Sequence, residues 1–363
     1  MAFGTVQADV IGTSVAGSNL GAGNASTLKN RIINGAMVID QRNAGASVTP
    51  SVNGQYTLDR WFAAINPVSK FSVQQNAGSV TPPVGFTNYL GATSVSAYTI
   101  GAGETEGIRQ YIEGYNIADL GWGTANAKTV TLSFQVYSSL TGTFGGSLNN
   151  NGFSRSYPFS YSIPVANTWT SISVTITGDT SGTWLTTNGI GLGINFSLGT
   201  GATLSGTAGS WSSNTYTSAT GATSVVGTNG ATFYITGVQL EVGSSATGFE
   251  YRQYGTEFQL CQRYFQSGTN VQGICNGTTS AIFNVGIQTP MRAVPTVNLT
   301  GVFSVSDIYT ADYTQSSATV GTVFGSSYSA MLVTLSSFSG LTAGRTLLAR
   351  YNNTNVITLT AEL

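Results

Sequence analysis

Period-two alternation of apolar side chains constrains this chain more than any other feature. In Val130-Thr131-Leu132-Ser133-Phe134-Gln135-Val136-Tyr137, the residues Val130, Leu132, Phe134 and Val136 share one parity. Ser171 to Thr177 repeats the pattern through Ile172, Val174 and Ile176, and Ile190, Leu192, Ile194 and Phe196 repeat it again. Such spacing puts apolar groups on one side of an extended strand and polar groups on the other, as in an antiparallel sheet with one wet face. Strands of this kind, separated by Gly, Ser, Thr and Asn turns, predict an all-β sandwich or jelly roll. One strand carries a fault. Phe233 and Ile235 lie on one parity, and Val238, Leu240 and Val242 on the other. A one-residue slip would flip every following side chain, so a β-bulge is expected at Gly237.

Charge narrows the reading further. Of 363 residues only 13 are Lys or Arg and 14 are Asp or Glu, or 7%, and there is no histidine. The missing His removes Ser-His-Asp and Cys-His nucleophiles and His-ligated metals. Scattered basic residues and a net charge of −1 leave no electrostatic footprint for nucleic acid. No apolar run is long enough to predict membrane insertion, and Met1 to Asp9 shows neither the basic nor the apolar region of a secretory signal. Aromatics make up 11% of the chain, enough to build cores. A folded chain so poor in charge lacks the usual means of staying dispersed. It reads as a component meant to be assembled.

Four segments are expected. Residues 1–29 are small and polar and read as an extended N-terminal arm. Residues 30–253 carry the jelly-roll β-sandwich, in which 199–231 form a long Gly/Ser/Thr loop, either functional or a subunit contact. Residues 254–268 read as an amphipathic linking helix: Thr256 is an N-cap with Gln259 three residues on. Phe258, Leu260, Cys261, Tyr264 and Phe265 cover one apolar arc, and Gly268 is the stop. Residues 269–363 form a small C-terminal β-sandwich, with strands expected at Ile282–Ile287, Thr296–Leu299, Met331–Leu335, Thr346–Tyr351 and Asn355–Ala361. A lone helix this short is stable only when packed, and its apolar arc is assigned to the contact of the homotrimer that the resemblance described next implies.

Several segments together are recognisable. Asn30-Arg31-Ile32-Ile33-Asn34-Gly35-Ala36-Met37-Val38-Ile39-Asp40-Gln41-Arg42, followed by Tyr56-Thr57-Leu58-Asp59-Arg60-Trp61, resembles the opening of a family of tailed-bacteriophage fibre and virion surface proteins. Gly237-Val238-Gln239-Leu240-Glu241-Val242-Gly243, Phe249-Glu250-Tyr251-Arg252 and Leu260-Cys261-Gln262-Arg263-Tyr264 look like the end of the same module. The chain end, Ile357 to Leu363, resembles family C-termini. The first module is also similar to jelly-roll carbohydrate-binding modules, with their Asn-x-x-x-Asn-Gly opening and Gln-Leu-Glu closing strand. The resemblance implies a non-enzymatic, sugar-binding, usually trimeric protein of the virion surface. The arm of residues 1–29 would grip tail, baseplate or capsid proteins, and the body would meet a host surface glycan. Tail fibre is the first reading. A capsid head fibre or decoration protein and a polysaccharide depolymerase stay open.

Candidate chemistry follows from residue types. Indole faces stack on sugar rings. Trp122, Trp184 and Trp211 sit among small neighbours and are expected on a glycan-binding surface, whereas Trp61 is expected in the core and Trp169 is balanced between the two. A glycosidase needs two carboxylates about 5–10 Å apart, and Glu106 with Glu113 or Asp119, near Glu104, is the available set. The structural alternative is a buried Glu113–Arg109 pair and a helical turn at Ile117 to Leu120. Asp40, Asp59, Glu241 and Glu250 are the acids a structural Ca²⁺ would use, but no loop shows a dense ligand pattern. No metal and no cofactor are therefore assigned. The Gly clusters lack the Lys-Ser/Thr of a phosphate cradle. Cys261 and Cys275 read as buried thiols, in keeping with assembly in a reducing host cytoplasm.

Overall fold

The computed structural model describes residues 28–267, 271–300, 303–307, 311–315, 319–324, 330–349 and 356–363. The chain divides into two compact units, Met1–Tyr254 and Gly255–Leu363. Apart from Leu28 and Lys29, the expected arm lies outside the described residues, as does the expected stop at Gly268.

In the first unit the strands are β1 (Gln55–Leu58), β2 (Trp61–Asn66), β3 (Phe71–Gln75), β4 (Leu90–Ser94), β5 (Thr105–Glu113), β6 (Val130–Ser138), β7 (Gly142–Asn149), β8 (Ser156–Ile163), β9 (Thr170–Ile176), β10 (Ile190–Thr200), β11 (Ser205–Gly206), β12 (Ser218–Ala219) and β13 (Thr232–Val242). They build a six-stranded sheet, β1-β2-β5-β10-β7-β8, and a five-stranded sheet, β3-β4-β13-β6-β9. Every pairing in these two sheets is antiparallel. One parity of each sheet feeds a common core: Trp61, Ile108, Ile194 and Phe196 from the first, Leu132, Phe134, Phe233 and Leu240 from the second. The Phe134 and Phe196 rings meet edge to face at 5.1 Å. Each such side chain contributes about 1.5–3 kcal/mol by leaving water. This is a jelly-roll β-sandwich.

The parity slip in β13 is where the sequence places it. The register against β6 shifts between Thr236 and Gln239, and Gly237 takes φ +62°, in the left-handed region where a glycine costs nothing. The Asn30-x-x-x-Asn34-Gly35 opening is a clasp on this strand. Asn30 Oδ1 accepts from the N–H of Ile32 and of Leu240, while its Nδ2 donates to the Val238 carbonyl at 3.1 Å. Asn34 Nδ2 donates to the carbonyls of Ile39 and Asp59. The Asn34 carbonyl accepts the buried Trp61 indole N–H at 3.0 Å. The strand that closes the module is thereby tied to the segment that opens it.

The loop over 199–231 folds back on the outer face of the six-stranded sheet. There β11 and β12 pair in parallel. Asn195 Nδ2 donates to the Thr217 carbonyl, and Asn149 Nδ2 to that of Tyr216. The glycine at 145 makes room: a Cβ there would stand 2.5 Å from Ser218 Oγ.

The second unit holds helix α1 (Tyr254–Gln262) but for its first residue, and strands β14 (Phe265–Ser267), β15 (Val271–Cys275), β16 (Ser280–Gly286), β17 (Thr296–Thr300), β18 (Phe303–Asp307), β19 (Ala311–Gln315), β20 (Thr319–Phe324), β21 (Ala330–Ser336), β22 (Thr346–Ala349) and β23 (Val356–Thr360). Sheets β14-β23-β17 and β19-β18-β22-β15-β16-β21-β20 enclose a second core around Phe283, Val285, Met331, Leu347 and Leu359. The five expected strands fall on β16, β17, β21, β22 and β23, although Tyr351 and Asn355 lie outside the described residues. The alternation did not announce β15, β18, β19 and β20, which are only five or six residues long.

The expected helix of 254–268 is corrected. Thr256 is the third residue of α1 rather than its cap, and the helix ends at Gln262. Cys261 is buried on it, while Phe258 and Leu260 are half-buried. Tyr264 lies in a turn, where its carbonyl accepts the Ala361 N–H, and Phe265 opens β14 opposite Thr360. Strand β23 needs a partner for its backbone groups, and that demand outweighs the helical spacing of the last two aromatics. Tyr264 and Phe265 are spent inside this unit. Cys261 and Cys275 are both buried thiols. No helix among the described residues is long and apolar enough to cross a membrane.

Candidate functional site

The structure brings Trp122, Trp184 and Trp211 together, but as packing. Their rings meet edge to face at 4.7, 5.3 and 5.4 Å, with Tyr157 against Trp211 at 5.2 Å. Trp122 is 6% and Trp184 7% exposed. Each indole N–H is already used, donating to the carbonyls of Lys128, Ser181 and Thr177 respectively. Small flanking residues let loops close over Trp122 and Trp184, while Trp211 stays half-buried at their edge. Trp61 is fully buried, as expected. Trp169 is half-buried against Tyr89 and Tyr137, and donates to the Thr81 carbonyl.

Glu106 and Glu113 are not brought together. Glu106 and Glu113 stand on opposite parities of β5, seven residues apart, or about 23 Å along an extended strand. Glu104 caps a loop, accepting from Tyr98 Oη and the Gly101 N–H, and Asp119 pairs with Arg31 at 2.7 Å. Glu106 is buried, and one of its oxygens accepts the Lys70 N–H. Burial pushes its carboxyl up to about 7, against the opposing pull of that N–H and the Lys70 charge. The four acids considered for calcium each accept hydrogen bonds from neighbouring donors. Asp40 accepts from Arg42, Asn43 and Gly45, and Asp59 from Gln41. Glu241 accepts from Gln239 and Thr247, and Glu250 from the backbone of Lys29 and Asn30. Among the described residues no group of three or more His, Cys, Asp or Glu is placed to hold a metal.

A different surface carries the features of a recognition site. On the outer face of the six-stranded sheet, strand pairing puts Tyr56 beside Phe62 and Phe62 beside Arg109. Ring centroids are 5.2 Å apart for Tyr56–Phe62 and 4.8 Å for Phe62–Tyr111, so three rings form a strip across β1, β2 and β5. Tyr56 and Tyr111 are half-buried and Phe62 is buried between them. The Arg42 guanidinium lies 4.7 Å above the Tyr56 ring. Glu113 is buried at the end of β5, and Arg109, 6% exposed, lies 4.8 Å over Phe153, from the β7–β8 hairpin loop. Burial lowers its pKa, against the effect of the hydrogen bond it donates to Tyr111. The half of this face on β7, β8 and β10 is covered by the 205–219 segment, which bonds to Asn149, Asn195, Ser156 and Pro158, while on the aromatic half Tyr56 and Tyr111 keep part of their surface exposed. The sequence held a signal for the strip. Ile108 and Ile112 point to the core, so Arg109 and Tyr111 fall on the outer parity, an unusual place for a large ring.

No protein-family model matches this chain, and no curated protein does. Among solved structures it is similar to the enzymatically active domain of tailspike protein 4 of bacteriophage CBA120, at 14% identity and TM-score 0.32, over 59% of this chain and 22% of that one. It is also similar to a putative sugar binding protein from Bacteroides thetaiotaomicron, at 12% identity and TM-score 0.37, over 59% of this chain and all of that one. A third is a family 11 carbohydrate-binding module from Clostridium thermocellum in complex with a mixed-linked tetrasaccharide, at 10% identity and TM-score 0.28, over 54% and 95%. The chain spans about a fifth of the tailspike domain it matches.

Proposed function

We propose that this chain is a non-enzymatic, glycan-binding protein of a phage virion surface, acting as a tail fibre that attaches to a host polysaccharide. The observation that carries sugar binding is the Tyr56–Phe62–Tyr111 strip, with Arg42 at one end and Arg109 beside Phe62. The part-exposed Tyr56 and Tyr111 rings, spaced by the buried Phe62, offer apolar surface to the C–H sides of sugar rings, and the flanking polar groups orient hydroxyls. The virion reading is supported by the resemblance of the Asn30–Arg42 and Leu260–Tyr264 segments to phage fibre proteins, and by a chain with 7% charged residues. Residues 1–29 attach it to other virion proteins, and trimer and particle valency multiply a weak single-site affinity.

Titration calorimetry of the full chain with oligosaccharides released from the host surface tests the sugar-binding part. Binding that falls at least tenfold in Tyr111→Ala supports it; binding indifferent to Tyr56→Ala and Tyr111→Ala sinks it. Sedimentation equilibrium tests the trimer. Imaging of whole particles with an antibody to this chain separates tail from head, and release of new reducing ends from the polysaccharide would overturn the non-enzymatic reading.

A further inference from the structure

The bulge at Gly237 has a consequence on the outer face of its own sheet. Phe86 packs onto the bulged glycine: a Cβ there would stand 2.6 Å from Phe86 Cζ. With Phe86 held there, Phe249 and Tyr251 gather round it, the three ring centroids lying 5.0 to 5.5 Å apart. This aromatic cluster is one wall of a cleft of about 410 Å³ on the outer face of the five-stranded sheet. Its floor is the wet parity of β6 and β9, where Ser133 pairs with Ser173 and Gln135 with Ser171. The Gln135 Oε1 accepts from Ser171 Oγ at 2.9 Å, which turns the amide nitrogen away from that bond. Thr247 and Gly248 form the rim. Tyr251 is 60% exposed, a large ring kept in contact with water.

We infer that this cleft is a second glycan subsite, separate from the Tyr111 strip, and that it takes a neutral pyranose ring. A ring wall beside a floor of hydroxyls and a primary amide matches the two faces of a sugar, one of C–H groups and one of hydroxyls. The volume falls within the ordinary range of small-ligand sites. No Asp, Glu, Lys or Arg is among the described residues that line the cleft, and the ammonium behind its rim, Lys29 on Thr247 and Gly248, is already paired with Glu241, so a uronate or a sulfate would find no uncommitted charge to offset its desolvation. The ligand class is therefore neutral hexose oligomers. Two sites on opposite sheets let one protomer engage two points of a polysaccharide, which raises avidity without a new contact. The inference shares the glycan-binding premise of the proposed function but not its residues.

The test is titration calorimetry of the full chain with cellohexaose, maltohexaose and mannohexaose, and with hexagalacturonate as the acidic counterpart. Wild type is compared with Tyr251→Ala, Gln135→Ala and Tyr111→Ala; Tyr251 is exposed and Gln135 half-exposed, so both truncations leave the core intact. The expected result is a neutral hexasaccharide whose binding survives Tyr111→Ala and weakens at least tenfold in both Tyr251→Ala and Gln135→Ala. Binding lost in Tyr111→Ala and unchanged in the other two overturns the second subsite and leaves the strip standing. Preference of the cleft for hexagalacturonate overturns its neutral specificity. Absence of binding by every neutral probe overturns the second subsite and leaves the strip to its own test with host oligosaccharides.

Discussion

The Tyr111 ring lies across Gly193 on the neighbouring strand, so close that a Cβ at residue 193 would stand 3.1 Å from Tyr111 Cε1. The glycine is what lets the ring lie down on the sheet and show its face. Gly193→Val suits a strand backbone but pushes the ring up. Binding of host oligosaccharides is expected to weaken at least tenfold by calorimetry, with the melting temperature nearly unchanged. A variant that binds like wild type refutes the role of the strip.

The tryptophan triad predicts the converse. Trp122→Ala removes a buried ring touching Trp184 and Trp211 and orphans the Lys128 carbonyl. A loss of about 3–5 kcal/mol is expected in denaturant unfolding. Folded protein at low temperature should bind sugar as wild type does, since the ring faces the core.

Glu106 gives a pH signature. Its folded carboxyl titrates at about 7, against about 4.3 in an unfolded chain. Between these values the folded state holds the proton more tightly, so its stabilisation is full below about 4.3 and is lost as pH rises through 7. The melting temperature should therefore fall between pH 5 and 7.5. Glu106→Gln keeps the acceptor for the Lys70 N–H without the charge, and should flatten that fall and stabilise the protein at pH 8. An unchanged slope in Glu106→Gln assigns the titration elsewhere.

Gly35 tests the opening clasp. A Cβ there would stand 2.2 Å from the Val238 carbonyl oxygen, and backbone cannot swing aside as a side-chain tip does. Gly35→Ala is expected to destabilise by about 3 kcal/mol, at the upper end of overpacking costs, read as a lower urea midpoint.

The alternation in β6, β9 and β10 announced the sandwich because a pleated strand must sort its side chains to two faces. The parity break in β13 announced the bulge for the same reason. Both are local: they depend on residues within one strand. Where two local rules competed, at Tyr264 and Phe265, helical spacing misled, because the partner that made Phe265 a strand residue is Thr360, far along the chain.

The amino-acid order by itself therefore determined the class of fold, the core parity of the long strands and the place of the bulge, since these follow from backbone geometry and side-chain alternation. Which aromatics are covered and which stay open was decided only by tertiary structure. Trp122 meets Trp211 through loops remote in sequence, and Tyr111 finds its seat on a glycine contributed by another strand. Exposure is a property of what packs on top, and that depends on contacts no local pattern records.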